Sequence, residues 1–352
     1  MKLFDDNGWP NFSREDGILS TGANFIFIWG GRGTGKTYTM QKTMLDEGRE
    51  WLFLRRTNTQ LKTIVADPVK TWPWAPINRD MHLNILPYKV AGVNGLYEAG
   101  DATERNEKSG KWKRPEYCPI GLSSVLDLAS TNGFNNPGCS VIYLDEYQLT
   151  GNDYYRSHEG SGLAGIYESI NRNRELNGDE PVTLIAASNA CGMANPYFMQ
   201  WEITDVVERM IGKGQRWKYL PEKKILLVDL IDSPISKKKS ETSLYKSLGG
   251  TDYYRMAIEN QYAAEEKSNI ISRNLREYVP VCQLGRLCIY AHKSEPKFYV
   301  SRHKQGTIPV YGTGDFDRKR FKLAYRYIIF AYLERSVEFE SYTDEIYFRQ
   351  YT

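Results

Sequence analysis

Eight residues near the N-terminus have the types and the spacing of a loop that binds nucleotide phosphates. They match the pattern G-x-x-x-x-G-K-[ST] and are Gly30, Gly31, Arg32, Gly33, Thr34, Gly35, Lys36 and Thr37. Glycines let backbone N–H groups turn inward around phosphates, and the positive end of a following helix adds to this attraction. Lys36 is expected to reach the β- and γ-phosphates, and Thr37 to bind Mg²⁺. The pattern therefore predicts ATP and Mg²⁺ as cofactors.

A second set of residues suited to chemistry ends the apolar stretch 141–144, which is followed by Asp145 and Glu146. At the tip of a strand, Asp145 is placed to hold Mg²⁺ through water. Glu146 is placed to polarise the attacking water as a general base. This pair favours an ATPase over a nucleoside kinase, which transfers phosphate to a substrate hydroxyl and does not need the glutamate. The alternative is a strand end with two solvated acids.

Polar residues after the neighbouring apolar stretch form a third candidate group. Residues 182–187 are followed by Ser188 and Asn189, and Asn189 is our candidate for a side chain that senses the γ-phosphate or the attacking water. A turn-forming asparagine is the alternative. Arg172 and Arg174 lie near the end of the preceding helical stretch, where one of them can face the site of a neighbouring subunit, because residues two apart on a helix point in different directions. Their alternative role is to offset the negative end of that helix.

Two further arginines, Arg55 and Arg56, follow the stretch 50–54. They lie on the edge of the sheet where the phosphate-binding loops emerge. There they can contact Glu146 and hold it back, or face DNA. Lys62 is a nearby alternative for a DNA contact.

The elements that must position these residues alternate between apolar strands and helices, which is typical of a parallel sheet covered by helices. Strands are expected at 24–29, 50–54, 140–144 and 182–187, and helices at 36–47 and 163–176. The fold class is therefore α/β, with a P-loop ATPase domain at residues 1–210. Residues 70–118 interrupt the alternation and are expected to be an insertion at the sheet edge, with a hairpin around Val93, Asn94 and Gly95.

After residue 210 the sequence becomes rich in lysine, and we interpret 211–275 as a linker region. Residues 276–352 are expected to form a small α/β domain, with paired strands around Ser294 to Pro296 and a final helix at about 316–334. No carboxylate cluster of the two-metal type is apparent there. Asp315 and Asp317 are better explained as residues at the start of that helix.

Composition limits the classes of protein that remain. A chain of 352 residues suggests about two domains. It holds no apolar run of about 18 residues and begins without an apolar secretory segment, so we expect no membrane partner and a location in a cytoplasm. The five cysteines show no C-x-x-C spacing, which favours reduced thiols over disulfides or zinc. The net charge of +3 is unevenly divided, −5 over 1–205 and +8 over 206–352. This suggests that the second half meets a polyanion.

Taken together, these residues resemble the encapsidation ATPases of small, protein-primed, short-tailed phages of the Picovirinae type. The resemblance spans about residues 20–200, in family order and spacing. It is carried by the phosphate loop, by residues 53–56, 141–146 and 171–175, and by Ser188, Asn189 and Ala190 with Asn195, Pro196, Tyr197 and Phe198.

The resemblance implies a P-loop ATPase of the additional-strand, catalytic-glutamate branch that works as a homo-oligomeric ring, usually of five. Such a ring acts on the portal of a procapsid, translocates double-stranded DNA, and is absent from the mature virion. Arg172 matches the family's trans-acting arginine, and Arg174 lies beside it. The second domain is expected to be RNase H-like and inactive as a nuclease. A scaffold RNA is a further partner that this resemblance leaves open. Where the family often carries a DNA-binding lysine, this sequence has Thr57 and Asn58.

We therefore interpret the chain as an ATP-driven translocase that packages double-stranded viral DNA, with contacts to phosphates rather than bases. Three alternatives remain. A terminase with an active nuclease requires clustered acids in the second domain. A DNA pump of a bacterial or conjugative system requires membrane segments or a partner-binding module. An assembly factor that binds ATP without hydrolysing it does not need Glu146.

Overall fold

The computed structural model describes residues 1–65, 73–90, 93–98, 120–125, 138–149, 155–156, 158–189, 192–258 and 268–352. The chain divides into two compact units, a first unit of Met1–Ala263 and a second unit of Ala264–Thr352. Part of the 70–118 insertion, including Asp101 to Arg114, lies outside the described residues.

The first unit is built on a nine-stranded sheet. In chain order its strands are β1 (Phe25–Gly30), β2 (Glu50–Arg55), β3 (Ile85–Val90), β4 (Val93–Glu98), β5 (Ile120–Ser124), β6 (Cys139–Asp145), β7 (Thr183–Asn189), β8 (Trp217–Leu220) and β9 (Ile225–Leu230). Their order across the sheet is β3-β4-β5-β2-β6-β7-β1-β9-β8. The six central strands run parallel to one another; in sheet order they are β5, β2, β6, β7, β1 and β9. At the two edges β3, β4 and β8 are antiparallel to their neighbours.

Helices cover this sheet and connect its strands. They are α1 (Lys36–Asp46), α2 (Asn58–Val65), α3 (Trp74–Met81), α4 (Glu159–Asn171), α5 (Arg174–Asn177), α6 (Pro196–Gln200), α7 (Thr204–Gly212), α8 (Pro234–Ser240), α9 (Ser243–Ser247) and α10 (Asp252–Ala257). Short 3-10 turns occur at Ile18–Thr21 and Pro221–Lys223.

The strand order explains why the candidate residues meet. β7 lies between β1, which leads into the phosphate loop, and β6, which ends at Asp145. This is the additional strand that the resemblance implied. Each central strand is an apolar run that is buried along nearly its whole length, as parallel strands with helices on both faces must be. Their carboxyl ends therefore share one edge, which is where ligands bind in open α/β sheets.

The second unit contains a five-stranded sheet. Its strands are β10 (Tyr278–Leu284), β11 (Leu287–His292), β12 (Phe298–Ser301), β13 (Val310–Tyr311) and β14 (Val337–Phe339), in the order β13-β10-β11-β12-β14. β10, β11 and β12 are antiparallel, whereas β13 and β14 run parallel to their neighbours. The helices are α11 (Asp315–Ala324), α12 (Arg326–Leu333) and α13 (Tyr342–Tyr351), and a 3-10 turn covers Leu275–Glu277.

The linker predicted at 211–275 does not match the structure, because β8 and β9 complete the first sheet and the first unit continues to Ala263. All six residues of β9 are buried beside β1. The surrounding lysines concealed this short apolar strand, because they belong to the exposed segments on either side of it. The fold class itself is confirmed: a mainly parallel sheet covered by helices, followed by a smaller sheet domain.

The hairpin expected around Val93, Asn94 and Gly95 is confirmed as the antiparallel pair β3 and β4, with these three residues in β4. Two expected helices differ from the structure. The helix expected at 163–176 begins earlier, at Glu159, and is broken after Asn171 into α4 and α5. The final helix expected at 316–334 is interrupted at Tyr325, whose φ of −122° and ψ of 31° are not helical, so it forms α11 and α12.

Candidate functional site

The phosphate loop joins β1 to α1 and is held by contacts on both of its sides. Gly33 and Gly35 have φ of 66° and 89°, which glycine adopts without the steric cost that other residues meet. A Cβ at Gly35 would also overlap the ring of Trp9. On the inner side the ammonium of Lys36 donates to the carbonyl oxygens of Gly30 and Gly31, at 3.2 and 2.9 Å. These contacts and backbone angles together fix the shape of the loop.

The predicted magnesium ligands lie next to each other. The Thr37 hydroxyl donates to Oδ1 of Asp145 at 2.8 Å, across 108 residues of sequence. The Tyr143 hydroxyl donates to Thr37 Oγ1 at 3.3 Å. Hydroxyl and carboxylate oxygens are the protein ligands that Mg²⁺ prefers, so this pair fits the ion. Sequence reasoning did not single out Tyr143. The available signal was its position two residues before Asp145, on the same face of β6.

Arg55, at the end of β2, joins both candidate acids. Its Nη2 lies 2.8 Å from Oδ2 of Asp145, and its Nη1 donates to Oε2 of Glu146. The side chains of Arg55 and Asp145 are each 7% exposed, whereas that of Glu146 is 50% exposed. Glu146 also has φ of 56°, a strained conformation for a residue with a side chain, and its N–H donates to the Ala187 carbonyl at 2.8 Å. The expected contact between Arg55 and Glu146 is therefore present.

Burial and charge act in opposite directions on these groups. Burial raises the pKa of Asp145, and the attraction of Arg55 only partly offsets this effect. Burial opposes the charge on Arg55, but Asp145 and Glu146 outweigh it and hold the pKa of Arg55 above its ordinary value. Because removing one member of a buried ion pair leaves the other uncompensated, these three charges depend on one another.

The end of β7 completes the cleft. Asn189 pairs in register with Gly30, and Ser188 Oγ accepts from the N–H of Gln148 at 3.1 Å. The cleft is lined by Arg32, Gly33, Thr34, Gly35, Lys36, Thr37, Arg55, Asp145, Glu146, Ser188 and Asn189. The sequence-predicted candidates of β1, β6 and β7 are thus brought together. Ala190, the next residue, lies outside the described part of the chain.

Arg172 and Arg174 lie away from this cleft. They line a separate cavity together with Asp179 and Glu180. Arg172 ends α4 with φ of 44°, and its exposed side chain donates from Nε to the Ser169 carbonyl at 3.1 Å. A positive φ at a residue with a side chain costs on the order of 1–3 kcal/mol. The geometry leaves Arg172 exposed on the surface, and its role in a neighbouring site stays a prediction.

Arg56 is buried and binds Glu159, the first residue of α4. Its guanidinium makes a two-pronged contact with Glu159, with both distances 2.7 Å, and neither side chain is more than 2% exposed. The Tyr197 hydroxyl also donates to Glu159, at 2.9 Å. Arg56 therefore fixes the start of α4 against the end of β2, and the expectation that it faces DNA is wrong because the side chain is buried. Lys62 lies on the exposed side of α2, where a DNA contact stays a prediction.

Two findings concern the described residues as a whole. Among them no helix is long and apolar enough to cross a membrane. Nor does this part of the chain contain a group of three or more His, Cys, Asp or Glu side chains that could hold a metal ion.

In the second unit, Arg273 binds Glu338 at 2.6 Å through two N–H groups, and Arg302 binds Asp344 at 2.7 Å.

A family comparison decides the relationship. The model of the podovirus DNA encapsidation protein (Gp16) family matches residues 118–304, more than half of the chain. The chain belongs to this family. The phosphate loop precedes the matched residues, so the interpretation of the nucleotide site rests on its own geometry. The Gp16 match includes β6 with Asp145 and Glu146, and it includes the helix that ends at Arg172.

Individual relatives agree with the family. The DNA packaging protein of Bacillus phage phi29 is 23% identical over 271 residues, covering 75% of this chain and 69% of that protein. The bacteriophage Phi-29 viral genome packaging motor assembly has a chain with a TM-score of 0.61 and 18% identity, with 100% of both chains covered. The Phi-28 gp11 DNA packaging motor has a TM-score of 0.63 and 14% identity, with 99% and 97% covered. The two structures show that the fold is shared along the whole chain.

We expect Glu146→Gln to separate nucleotide binding from turnover. The substitution keeps the size of the side chain but removes the carboxylate that we predict to act as the base, so ATP affinity should stay near that of the wild type. Turnover should fall by roughly two orders of magnitude or more, the scale of losing a positioned base. Lys36→Ala should instead weaken ATP binding itself. Equilibrium ATP binding and steady-state phosphate release measure the two effects.

Glu222→Gln is the matched control, because it makes the same change at an exposed residue far along the chain from the cleft. It should leave both quantities unchanged. Near-normal turnover of the Glu146 variant would remove Glu146 as the base.

Proposed function

We propose that this chain is an ATPase that drives double-stranded viral DNA through the portal into a preformed procapsid. The observation that carries the proposal is the contact of Thr37 with Asp145 at the mouth of the phosphate loop, with Glu146 one residue further on. Membership of the DNA encapsidation protein family supplies the context in which the hydrolysis is used. The chain would act in the host cytoplasm, transiently at the portal vertex, and be absent from the mature virion.

Each residue of the cleft has a role in this proposal. The loop N–H groups and Lys36 bind the phosphates, and Thr37 with Asp145 holds Mg²⁺, which supplies charge neutralisation when it is bound. Glu146 removes a proton from water, and Asn189 orients the reacting groups. The Glu146 carboxylate accepts a hydrogen bond from Arg55, so its use as a base requires release from that contact. The exposed Glu146, rather than the buried Arg55, is the group free to move.

DNA is the polyanion that the charge distribution suits. The net charge of +8 over residues 206–352 favours contacts with phosphates, which need no particular base sequence. A translocase must bind any sequence that passes through it, and backbone contacts satisfy this requirement. The C-terminal region therefore fits a strand-tracking role.

A terminase with an active nuclease is the alternative closest to this proposal. Its acids would have to converge on two metal ions. Asp317, in the first turn of α11, instead accepts from the N–H of Gly312 at 2.9 Å, and Asp315 lies exposed at the start of the same helix. Glu338 and Asp344 are each bound by an arginine. These contacts favour a domain that handles DNA without cutting it.

The wild-type chain should bind double-stranded DNA of unrelated sequences with equal affinity and without metal-dependent nicking. A protein that neutralises several phosphates loses roughly 10³-fold or more in affinity between about 50 and 200 mM salt. Binding at several salt concentrations, and gel analysis of supercoiled DNA with Mg²⁺ or Mn²⁺, measure the two properties. Cleavage that Asp315→Ala or Asp317→Ala abolishes would place the chain with the terminases.

The proposal includes a homo-oligomeric ring, for which the family resemblance implies five subunits and leaves a scaffold RNA open. Arg172 supports it, because an exposed arginine held outside its own cleft is available to a neighbour's γ-phosphate. Such an arginine stabilises the charge of the transition state.

We expect Arg172→Ala protein to bind ATP but to hydrolyse it poorly, since a trans-acting arginine contributes about 10³ to 10⁵ in rate. Mixing it with Glu146→Gln protein should restore part of the turnover. In the mixture some interfaces combine an intact Arg172 with an intact Glu146. Phosphate release as a function of mixing ratio measures this rescue.

Arg174→Ala is the matched control and should hydrolyse ATP at a rate close to that of the wild type. If the rate of phosphate release in the mixtures never exceeds the sum of the rates of the two separate variants, Arg172 acts within its own subunit or only ends its helix. Rescue that depends on Arg174 would keep the ring and assign the role to that residue.

A further inference from the structure

The outer side of the phosphate loop is covered by a segment that carries no recognised nucleotide motif. This cover consists of α8, α9 and α10, residues 234–257. The Ala257 carbonyl accepts from the N–H of Arg32 at 3.1 Å. A Cβ at Gly31 would lie 2.8 Å from Ser236 Oγ and 2.9 Å from the Ala257 oxygen. The loop and its cover are therefore packed without space between them.

Lys239, at the end of α8, makes the most specific of these contacts. Its ammonium donates to the Arg32 carbonyl at 2.6 Å and lies 5.2 Å from the centre of the Tyr245 ring. A Cβ at Gly33 would come within 2.6 Å of the same ammonium. Lys239 is half-buried, whereas Lys237 and Lys238 on the same helix are exposed. Burial first, and then the charge of Arg32, lowers the pKa of Lys239.

The contact between Lys239 and the Arg32 carbonyl also determines where the N–H of Gly33 points. In a trans peptide the carbonyl of one residue and the N–H of the next point in opposite directions. When Lys239 holds the Arg32 carbonyl outward, the N–H of Gly33 must point away from Lys239. Gly33 lines the nucleotide cleft and Lys239 does not. The Gly33 N–H is thus directed to the side where phosphates bind.

The contact with Lys239 matters because the orientation of the peptide between Arg32 and Gly33 is easily reversed. Gly33 has φ of 66°, and glycine populates positive and negative φ about equally, so the peptide between Arg32 and Gly33 can turn over at low cost. A reversed peptide would present a carbonyl oxygen to the phosphates in place of an N–H. Lys36 binds the carbonyls of Gly30 and Gly31, and Lys239 binds that of Arg32.

We infer that Lys239 is a positioning residue of the nucleotide site: from outside the phosphate loop, it fixes the peptide that presents the Gly33 N–H to a phosphate. The inference rests on the proposed function, because it requires the loop to bind ATP. The cover then contributes to nucleotide binding, because Lys239 holds the loop from the side opposite Lys36.

The test measures ATP and ADP affinity of the full-length chain with Lys239→Met, which keeps the apolar stem and removes the donor. Both affinities should fall about tenfold, near the lower end for the loss of a hydrogen bond to a charged group. The KM for ATP should rise by a similar factor. The kcat should stay within about threefold of the wild type, because Lys239 does not touch the reacting atoms. Lys239→Arg, which keeps a charged donor, should recover most of the affinity.

Lys237→Met and Lys238→Met are the matched controls, since they remove the same charge from exposed positions of the same helix. The unfolding midpoint without nucleotide should be equal in all three methionine variants. Wild-type affinity in Lys239→Met would overturn the inference, as would an equal loss in either control. A loss for ATP without a loss for ADP would also overturn it, by indicating direct contact with the γ-phosphate. Failure of the wild-type chain to bind ATP would instead refute the proposed function itself.

Discussion

The nucleotide site depends on one buried contact, the guanidinium of Arg55 between Asp145 and Glu146. It joins β2 to β6 at the edge where the phosphate loop also ends. Asp145 is thereby held against Thr37, and Glu146 is held next to the cleft in a strained backbone conformation. A buried carboxylate without a partner would take up a proton, since burial alone raises its pKa. In the proposed mechanism Arg55 therefore keeps Asp145 suited to a cation while it restrains Glu146, the proposed base.

A second buried pair connects this edge to the helix that precedes Arg172, the proposed trans-acting arginine. Arg56 follows Arg55 directly and is bound to Glu159 at the start of α4, and Arg172 comes directly after the last residue of that helix. A helix of 13 residues spans about 20 Å. Adjacent arginines thus serve two sites, one in the cleft and one at the base of the helix that presents Arg172. In the proposed ring, this connection gives a physical route by which events in one cleft would affect the next subunit.

The sequence predicted the parts of the site that are contiguous or that end predictable strands. The phosphate loop, Asp145, Glu146 and Asn189 follow this rule, because apolar strands and glycine-rich turns are local signals. Long-range partners carried no such signal. Lys239 contacts Arg32 across 207 residues, and its lysine-rich surroundings indicated a linker rather than a cover. Arg56 was expected to contact Glu146 or to face DNA, and its pairing with Glu159 depends on a residue 103 positions away in the sequence.

We propose above all that this cleft hydrolyses ATP and that the hydrolysis drives the movement of DNA. The most direct test is the rate of phosphate release by the wild-type chain, measured with Mg²⁺ and ATP in the presence and absence of double-stranded DNA. We expect hydrolysis that requires Mg²⁺, rises when DNA of any sequence is added, and falls again at high salt as the DNA dissociates. A Mg²⁺-dependent rate that is the same with and without bound DNA would contradict it.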